Sequence, residues 1–118
     1  MNDLLETELC GIQMKTPIFT GSGTFGFGEE FADFVDLSRI GGVVVKGTTL
    51  LPRRGNDGIR ITETPSGMLN AIGLQNPGID VFRERDIPFL KQYDTKIIVN
   101  VCGKTVEDYV DVGEKLGE

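Results

Sequence analysis

The stretch GGVVVKG, at residues 41–47, places three consecutive valines between a pair of glycines and a lysine. A short β-branched run of this kind is typical of a strand that is covered on both faces in a parallel sheet. Two further runs have a similar character: KIIVNV at residues 96–101 and PIFT at residues 17–20. Together the three runs predict three parallel strands.

Helical patterns lie between and after these runs. Residues 29–37 carry three apolar side chains on one helical face, which predicts a surface helix packed on the sheet. Residues 80–93 predict a second helix, kinked or broken at Pro88. Thr105 and Asp108 have the spacing of a capping box and predict the start of a third helix. Strands that alternate with helices predict an α/β protein with right-handed parallel crossovers.

Two hairpins complete the predicted architecture. Residues 4–8 and 11–14 are expected to pair at the N-terminus and to close the bottom of a barrel. Within a long inserted segment, residues 50–77, alternation over residues 59–64 and a turn before residues 68–70 predict a second hairpin. Three strand-helix units leave open sheet edges, whereas a complete (β/α)8 barrel has eight units over ~250 residues. The sequence therefore predicts one domain, residues 1–118, that forms the N-terminal part of such a barrel.

Composition excludes several classes of function. Eighteen acidic residues against 12 basic ones give a net charge of −6, which argues against a nucleic-acid partner. The N-terminus is acidic and no apolar run approaches the ~20 residues of a membrane span, so a soluble, cytoplasmic protein is expected. The chain has no histidine, and Cys10 and Cys102 form neither a CxxC motif nor a metal-ligand cluster. No metal site is predicted.

Two polar residues mark a candidate ligand site. Lys46 ends the valine run, and Asn100 interrupts the later apolar run at the same level. Ligands bind at the carboxyl ends of strands in barrels and in open α/β sheets, so the two side chains predict a shared pocket. An ammonium group there would stabilise negative charge on a flavin or a carboxylate. The alternative is a lysine that extends along the rim to reach solvent.

A glycine-rich turn supports a different hypothesis. GSGTFG at residues 21–26 matches the G-x-G-x-x-G pattern after a predicted strand, which would suit a small Rossmann-like NAD(P)-binding module. Against this reading, Lys46 stands where the fingerprint has an acidic residue, and Phe27 and Gly28 delay the helix. A third hypothesis is a noncatalytic interaction domain whose open sheet edges pair with another copy of the chain.

Four segments carry a resemblance to a known family, and they occur in the right order over essentially the whole chain. They are SGTFGFG at 22–28, GGVVVKGTTL at 41–50, ETPSGMLNAIGLQNPG at 63–78 and KIIVNVCG at 96–103. They resemble the opening third of the dihydroorotate dehydrogenases, with the third segment the most specific. The resemblance favours the soluble class 1 enzymes, and among them the catalytic subunit of the NAD-linked B type.

The resemblance implies a (β/α)8 TIM barrel that holds FMN and oxidises dihydroorotate to orotate in pyrimidine (UMP) biosynthesis. A base removes a proton from the substrate while hydride passes to the flavin. In the B type a partner subunit with FAD and an iron-sulfur cluster passes the electrons to NAD. A homo-oligomer is also expected.

The resemblance also assigns residues. Ser22, Lys46, Gly47 and Asn100 would contact FMN. Orotate would contact Lys46 and a run of five further residues: Asn70, Ala71, Ile72, Gly73 and Leu74. In the soluble class the base is a cysteine after the fourth strand, which is expected beyond Glu118, so no catalytic residue is assigned here. The 118-residue polypeptide alone is expected to be inactive and to bind FMN weakly or not at all.

Overall fold

Short strands and helices organise residues 4–117, the part of the chain that the computed structural model describes. The strands are β1 (Thr7–Leu9), β2 (Ile12–Met14), β3 (Gly42–Val44), β4 (Ile61–Thr64), β5 (Gly67–Asn70) and β6 (Lys96–Ile98). The α-helices are α1 (Ile79–Val81), α2 (Ile87–Leu90) and α3 (Val106–Gly117), and a π-helical turn, Phe82–Asp86, joins α1 to α2. Two 3-10 turns, Glu29–Phe31 and Leu37–Arg39, precede β3. This order confirms an α/β fold.

The parallel sheet is built around β3. Its register with β6 pairs Gly42 with Lys96, and the ladder continues beyond both strands through a bond from Val45 N to the Ile98 carbonyl at 3.0 Å. On the other side of β3, Phe19 forms a parallel bridge with Gly42. The structure thus confirms the two longer predicted strands as a parallel pair.

The first predicted strand, residues 17–20, is reduced to that single bridge. The Val44 amide donates to the Thr20 Oγ1 hydroxyl at 2.9 Å instead of to a backbone carbonyl. A side-chain acceptor in place of the backbone ends the ladder at this point.

The core lies between the sheet and the helices. Val43 and Val45 are fully buried, and they pack with the buried side chains of Phe82, Leu90 and Val112. Because alternate residues of a strand face the same side, this face of β3 is covered by the helical layer. Burial of each such side chain stabilises the fold by about 1.5–3 kcal/mol.

The predicted helix over residues 29–37 is wrong. The structure has only the two 3-10 turns there, and the side chain of Phe34 is 84% exposed, so the apolar face does not pack on the sheet. Phe31 stacks on Phe25 instead, with ring centroids 4.5 Å apart. The Asp36 carboxylate accepts from Ser38 N at 3.0 Å and starts a new turn, so local capping interrupts the segment.

The helix predicted over residues 80–93 is present with different bounds and an irregular centre. It runs from Ile79 to Leu90 through the π-helical turn, where the Ile87 amide donates to the Phe82 carbonyl. Pro88 follows immediately and has no amide hydrogen to donate. The π-helical turn before Pro88 is wider than an α-helical turn, and it takes the place of the kink or break predicted at this proline.

The start of α3 confirms the predicted capping box. The Asp108 amide donates to Thr105 Oγ1 at 3.2 Å, and the Asp108 carboxylate accepts from the amides of Thr105 and Lys104 at 3.3 and 2.8 Å. These bonds satisfy amide groups that a helix N-terminus otherwise leaves without partners.

Two antiparallel hairpins lie outside the core. β1 pairs with β2 through a turn at Cys10 and Gly11, both with positive φ, as a two-residue hairpin turn requires. β4 pairs with β5, and all eight of their residues are exposed. Within residues 4–117, no helix is both long enough and apolar enough to cross a bilayer.

Candidate functional site

Lys46 and Asn100 lie at the same edge of the parallel sheet. The chain leaves β3 through Val45, and the Lys46 amide donates to the Gly26 carbonyl at 2.9 Å. Just beyond, the Thr48 amide donates to the Asn100 carbonyl at 2.9 Å, so the two chain segments stay paired past the regular strands. The structure therefore brings the two predicted strand-end residues to one edge.

The glycine-rich turn is attached to this edge by side chains. The Asn100 amide Nδ2 donates to Ser22 Oγ at 3.2 Å, and Ser22 Oγ donates to the Val45 carbonyl at 2.8 Å. Ser22 and Asn100 are both exposed, so their remaining hydrogen-bonding capacity faces outward. These two predicted flavin contacts are direct neighbours.

Gly47 sits where no side chain fits. A Cβ atom added to it would lie 2.8 Å from Cys102 Sγ, 2.8 Å from Leu74 Cδ1 and 3.5 Å from Asn100 Nδ2. Distances below 3.0 Å are not found for real Cβ atoms, so only glycine allows Leu74 and Cys102 to close over the backbone here.

The Lys46 side chain is half-buried beneath the glycine-rich turn. A Cβ atom on Gly23 would lie 3.3 Å from Lys46 Nζ, so the ammonium group packs against this turn rather than extending freely into solvent. None of the ion pairs within residues 4–117 involves Lys46. Its charge is therefore available to an anionic ligand.

The run of predicted substrate contacts divides into two parts. Ile72 lines a cavity together with Lys46, and Leu74 reaches the backbone of Gly47. Gly73 and Leu74 both have positive φ, at 79° and 58°, which turns the chain sharply toward the sheet edge. Asn70 and Ala71 are exposed at and just after the end of β5, and neither lines this cavity.

The cavity beside Lys46 has a volume of about 510 Å³, within the usual range for small-molecule sites. Its lining includes six residues that bear on ligand binding: Gly23, Glu30, Lys46, Arg53, Ile72 and Arg85. Three of them are cations and one is an acid, although the chain as a whole is acidic. The excess of positive charge favours an anionic or electron-rich ligand.

Sequence reasoning missed Arg53 and Arg85. Arg85 comes from the π-helical turn, and its guanidinium donates to both carboxylate oxygens of the buried Asp86, at 2.8 and 3.2 Å. This hydrogen bond raises the pKa of Arg85 above its ordinary value, so the group stays charged. Helical periodicity gives no signal for such a position, whereas Arg53 lies in the arginine-rich part of the inserted segment.

The dinucleotide-binding alternative fails on the geometry of the glycine-rich turn. A Rossmann turn delivers the pyrophosphate to the N-terminus of the helix that follows. After Gly26 the structure has only the three-residue 3-10 turn Glu29–Phe31, so this anion-binding helix end is missing.

Comparisons with known proteins agree with one another. The family profile described as dihydroorotate dehydrogenase matches residues 4–118. The chain is 54% identical over 114 residues to the dihydroorotate dehydrogenase B (NAD(+)) catalytic subunit of Alkaliphilus metalliredigens, which covers 97% of the chain and 38% of that protein. It is 58% identical over 110 residues to the protein of the same name from Lachnoclostridium phytofermentans, covering 93% of the chain and 37% of that protein. The chain thus spans less than two fifths of the length of these relatives.

A solved structure shares the fold. The crystal structure of DHODH from Eimeria tenella in complex with ferulenol superposes with a TM-score of 0.71 and covers 98% of the chain and 33% of that protein. The sequence identity is 22%, so this likeness concerns the fold alone.

Proposed function

Because the chain belongs to the dihydroorotate dehydrogenase family, we propose that it takes part in the FMN-dependent oxidation of dihydroorotate to orotate in de novo pyrimidine biosynthesis. One observation carries the proposal: Lys46, Gly47, Asn100 and Ser22 converge at one sheet edge, and Leu74 closes on them from the inserted segment. These residues are separated by up to 78 positions in the sequence.

The fold supports a barrel as the full architecture. β3 and β6 are parallel, helices cover one face, and the carboxyl ends of the two strands lie at the same edge, as in a (β/α)8 barrel. We propose that residues 1–118 form the first three units of such a barrel, with the N-terminal hairpin at its base.

The residues at the sheet edge fit a flavin. Ser22 and Asn100 present a hydroxyl and an amide at an exposed edge, and Gly47 leaves the backbone between them uncovered. FMN, when bound, accepts the hydride. Lys46 would lie close enough to both flavin and substrate to stabilise the negative charge that develops on reduction.

Orotate and dihydroorotate are proposed to bind between Lys46 and the run from Asn70 through Ala71, Ile72 and Gly73 to Leu74. Ile72 supplies an apolar wall, and the positive φ of Gly73 and Leu74 turns the backbone toward the sheet edge. A small planar acid suits this combination of cation, amide groups and apolar surface.

Neither cysteine is assigned as the proton-abstracting base. Cys10 lies in the β1–β2 turn, and Cys102 lies against Gly47 with its thiol 3.8 Å from Asn100 Oδ1. By resemblance, the base is a cysteine beyond Glu118. The 118-residue polypeptide by itself is therefore expected to show no turnover of dihydroorotate, and measured turnover would refute this assignment.

Partners are proposed from the names of the relatives, which describe catalytic subunits of an NAD(+)-linked enzyme. A second subunit with FAD and an iron-sulfur cluster would pass electrons from FMN to NAD. We further propose a homo-oligomeric, cytoplasmic enzyme.

The experiment that tests the proposal is a ligand titration of the purified full-length protein, because the 118-residue polypeptide alone is expected to bind FMN weakly or not at all. FMN binding is followed by the flavin absorption spectrum, and orotate binding by its perturbation of that spectrum. Lys46→Ala is expected to weaken orotate binding at least about tenfold, because a charge-assisted hydrogen bond is lost. Lys91→Ala, at an exposed lysine on the helical side, is the matched control. Tight NADPH binding without any flavin binding would contradict the proposal.

A further inference from the structure

Asn76 is a buried amide whose hydrogen bonds are all accounted for. The residue is 5% exposed and lies two positions after Leu74. Oδ1 accepts from the backbone amides of Thr49 and Gly78, at 3.1 and 3.0 Å. Nδ2 donates to the Leu74 carbonyl at 2.9 Å and to Thr49 Oγ1 at 3.0 Å. Two backbone amides require an acceptor on one side and a backbone carbonyl requires a donor on the other. The carboxamide of Asn76 therefore fits in only one orientation.

These bonds join two segments that are 27 positions apart. Thr49 continues the chain from β3 and Lys46, whereas Leu74 ends the run from the inserted segment. The backbone of Asn76 also pairs with Arg53 in both directions, at 2.9 and 3.0 Å. The pairing with Arg53 closes the inserted segment on itself, and the bonds to Thr49 attach its end to the sheet edge.

Leu74 needs such an attachment because its backbone is strained. Its φ of 58° lies in the left-handed region, which costs a residue with a Cβ atom about 1–2 kcal/mol. The strain places Leu74 Cδ1 against Gly47, two residues after Ile72, which lines the cavity beside Lys46. A carboxamide that accepts from two fixed amides and donates to the Leu74 carbonyl offsets this cost.

We propose that Asn76 is a positioning residue: its Nδ2–Leu74 carbonyl hydrogen bond holds Leu74, one of the proposed substrate contacts, in its binding conformation. The inference rests on the proposed function for the identity of the ligand. Asn76 also borders the cavity beside Lys46, but its side-chain oxygen and nitrogen are both engaged by Thr49, Gly78 and Leu74. It acts through Leu74.

The test is Asn76→Asp, which keeps the acceptor for Thr49 and Gly78 and replaces the donor to Leu74 with a second oxygen. With the carboxylate ionised, two oxygens face each other, and orotate affinity is expected to fall roughly tenfold. FMN affinity is expected to fall less than orotate affinity, because Ser22 and Asn100 are held by each other and by the Val45 carbonyl and not by Asn76. Gln92→Glu adds the same charge at an exposed amide and is the matched control, expected to change neither affinity.

A pH series gives a signature that general loosening of the fold does not give. Burial raises the pKa of a carboxyl, and the protonated acid can again donate to the Leu74 carbonyl. As the pH is lowered from about 8 to about 5, the orotate affinity of the variant is therefore expected to approach that of the wild type. Parallel loss of FMN and orotate affinity at all pH values would overturn the proposal, as would unchanged orotate affinity.

A ligand-free measurement separates this inference from the proposed function. In isotopically labelled protein, the carbon chemical shifts of Leu74 report its backbone conformation. They are expected to leave the left-handed range in Asn76→Asp at about pH 8 and to be unchanged in Gln92→Glu. If Leu74 responds but the full-length wild type binds neither FMN nor orotate, the proposed function fails and the positioning role stands. If Leu74 does not respond, the positioning role is wrong whatever the ligand.

A double-mutant cycle covers the case in which Asn76→Ala folds poorly. Glycine adopts positive φ without strain, so Leu74→Gly removes the need for the attachment. Asn76→Ala is expected to raise the unfolding equilibrium constant several-fold less in the Leu74→Gly background than in the wild type. Additive effects would contradict the proposed link.

Discussion

Gly47 shows how one missing side chain shapes the site. The space above its backbone is taken by Leu74 and Cys102, which come from distant parts of the chain. A glycine after a lysine at a strand end suggests close backbone approach, but the sequence does not say which groups approach. The contact links the wall of the proposed substrate pocket to the proposed flavin edge.

Gly47→Ala is expected to destabilise the protein by about 1–3 kcal/mol, because a methyl group would overlap Leu74 and Cys102. Chemical denaturation measures the loss. Gly113→Ala is the matched control: it lies within α3, where the new methyl group would meet nothing within 4 Å beyond the backbone of its own helix, and it should stabilise by about 0.5–1 kcal/mol. Equal effects of the two variants would show that the contacts around Gly47 are not tight.

The elements of the fold differ in what holds their ends. α3 begins with a reciprocal capping box. Asp94, just before β6, forms an ion pair with Lys15, just after β2, with the N and O atoms 2.7 Å apart. Lys15 Nζ also donates to the Ser38 carbonyl at 2.6 Å. A local cap therefore fixes the start of α3, whereas the chain just before β6 is held by an ion pair to a residue far away in the sequence.

Thr105→Ala is expected to lower the free energy of unfolding by about 1 kcal/mol, because the Asp108 amide loses its acceptor at the start of α3. Thr105→Ser keeps the hydroxyl and is the matched variant. Thermal denaturation distinguishes them. A serine variant as unstable as the alanine variant would mean that the cap is not what Thr105 contributes.

The ion pair predicts a pH dependence with a definite sign. The hydrogen bond from Lys15 lowers the pKa of Asp94 below its ordinary value of 3.8. A lowered folded-state pKa adds stability above the ordinary value, and this stability is lost as the pH falls through the folded-state pKa. Wild type should therefore exceed Asp94→Asn in stability near neutral pH, by a small amount that disappears in acid and in high salt.

Urea denaturation at several pH values measures this difference. The control is Asp57→Asn, which should show no such trend. Asp57 is exposed and takes part in none of the ion pairs within residues 4–117. A wild-type advantage that grows in acid would contradict the sign derived for Asp94.

The molecule as a whole is flat and has open surfaces. Its extents are 50 × 42 × 24 Å, and its radius of gyration of 15.9 Å exceeds the value of about 13 Å that is typical of a compact domain of 100 residues. Large apolar side chains of the β4–β5 hairpin are exposed, Met68 at 60% and Leu69 at 66%. β6 pairs only with β3 among the described strands, so its outer edge is open.

The isolated 118-residue polypeptide is therefore expected to self-associate, because open strand edges and exposed apolar hairpins favour pairing with another chain. Sedimentation velocity over a range of concentrations measures this. The double variant Met68→Lys with Leu69→Lys should weaken association if the hairpin contributes. A monomer at all concentrations, with slowly exchanging amides along β6, would contradict the expectation.

Features set by neighbouring residues could be predicted from the sequence: the buried valine run, the apolar run that ends in Asn100, the capping box at Thr105, and the irregular helix at Pro88. The strand-end positions of Lys46 and Asn100 followed from them, because parallel strands bring their carboxyl ends to one edge. The helix over residues 29–37 was wrong because periodicity describes which side chains share a face and not whether anything packs against that face. Only the tertiary structure decided that Asn76 holds Leu74, that Arg85 enters the cavity and that Leu74 covers Gly47. Those contacts join residues that are far apart in the chain, and their energies depend on burial and distance, which no local pattern contains.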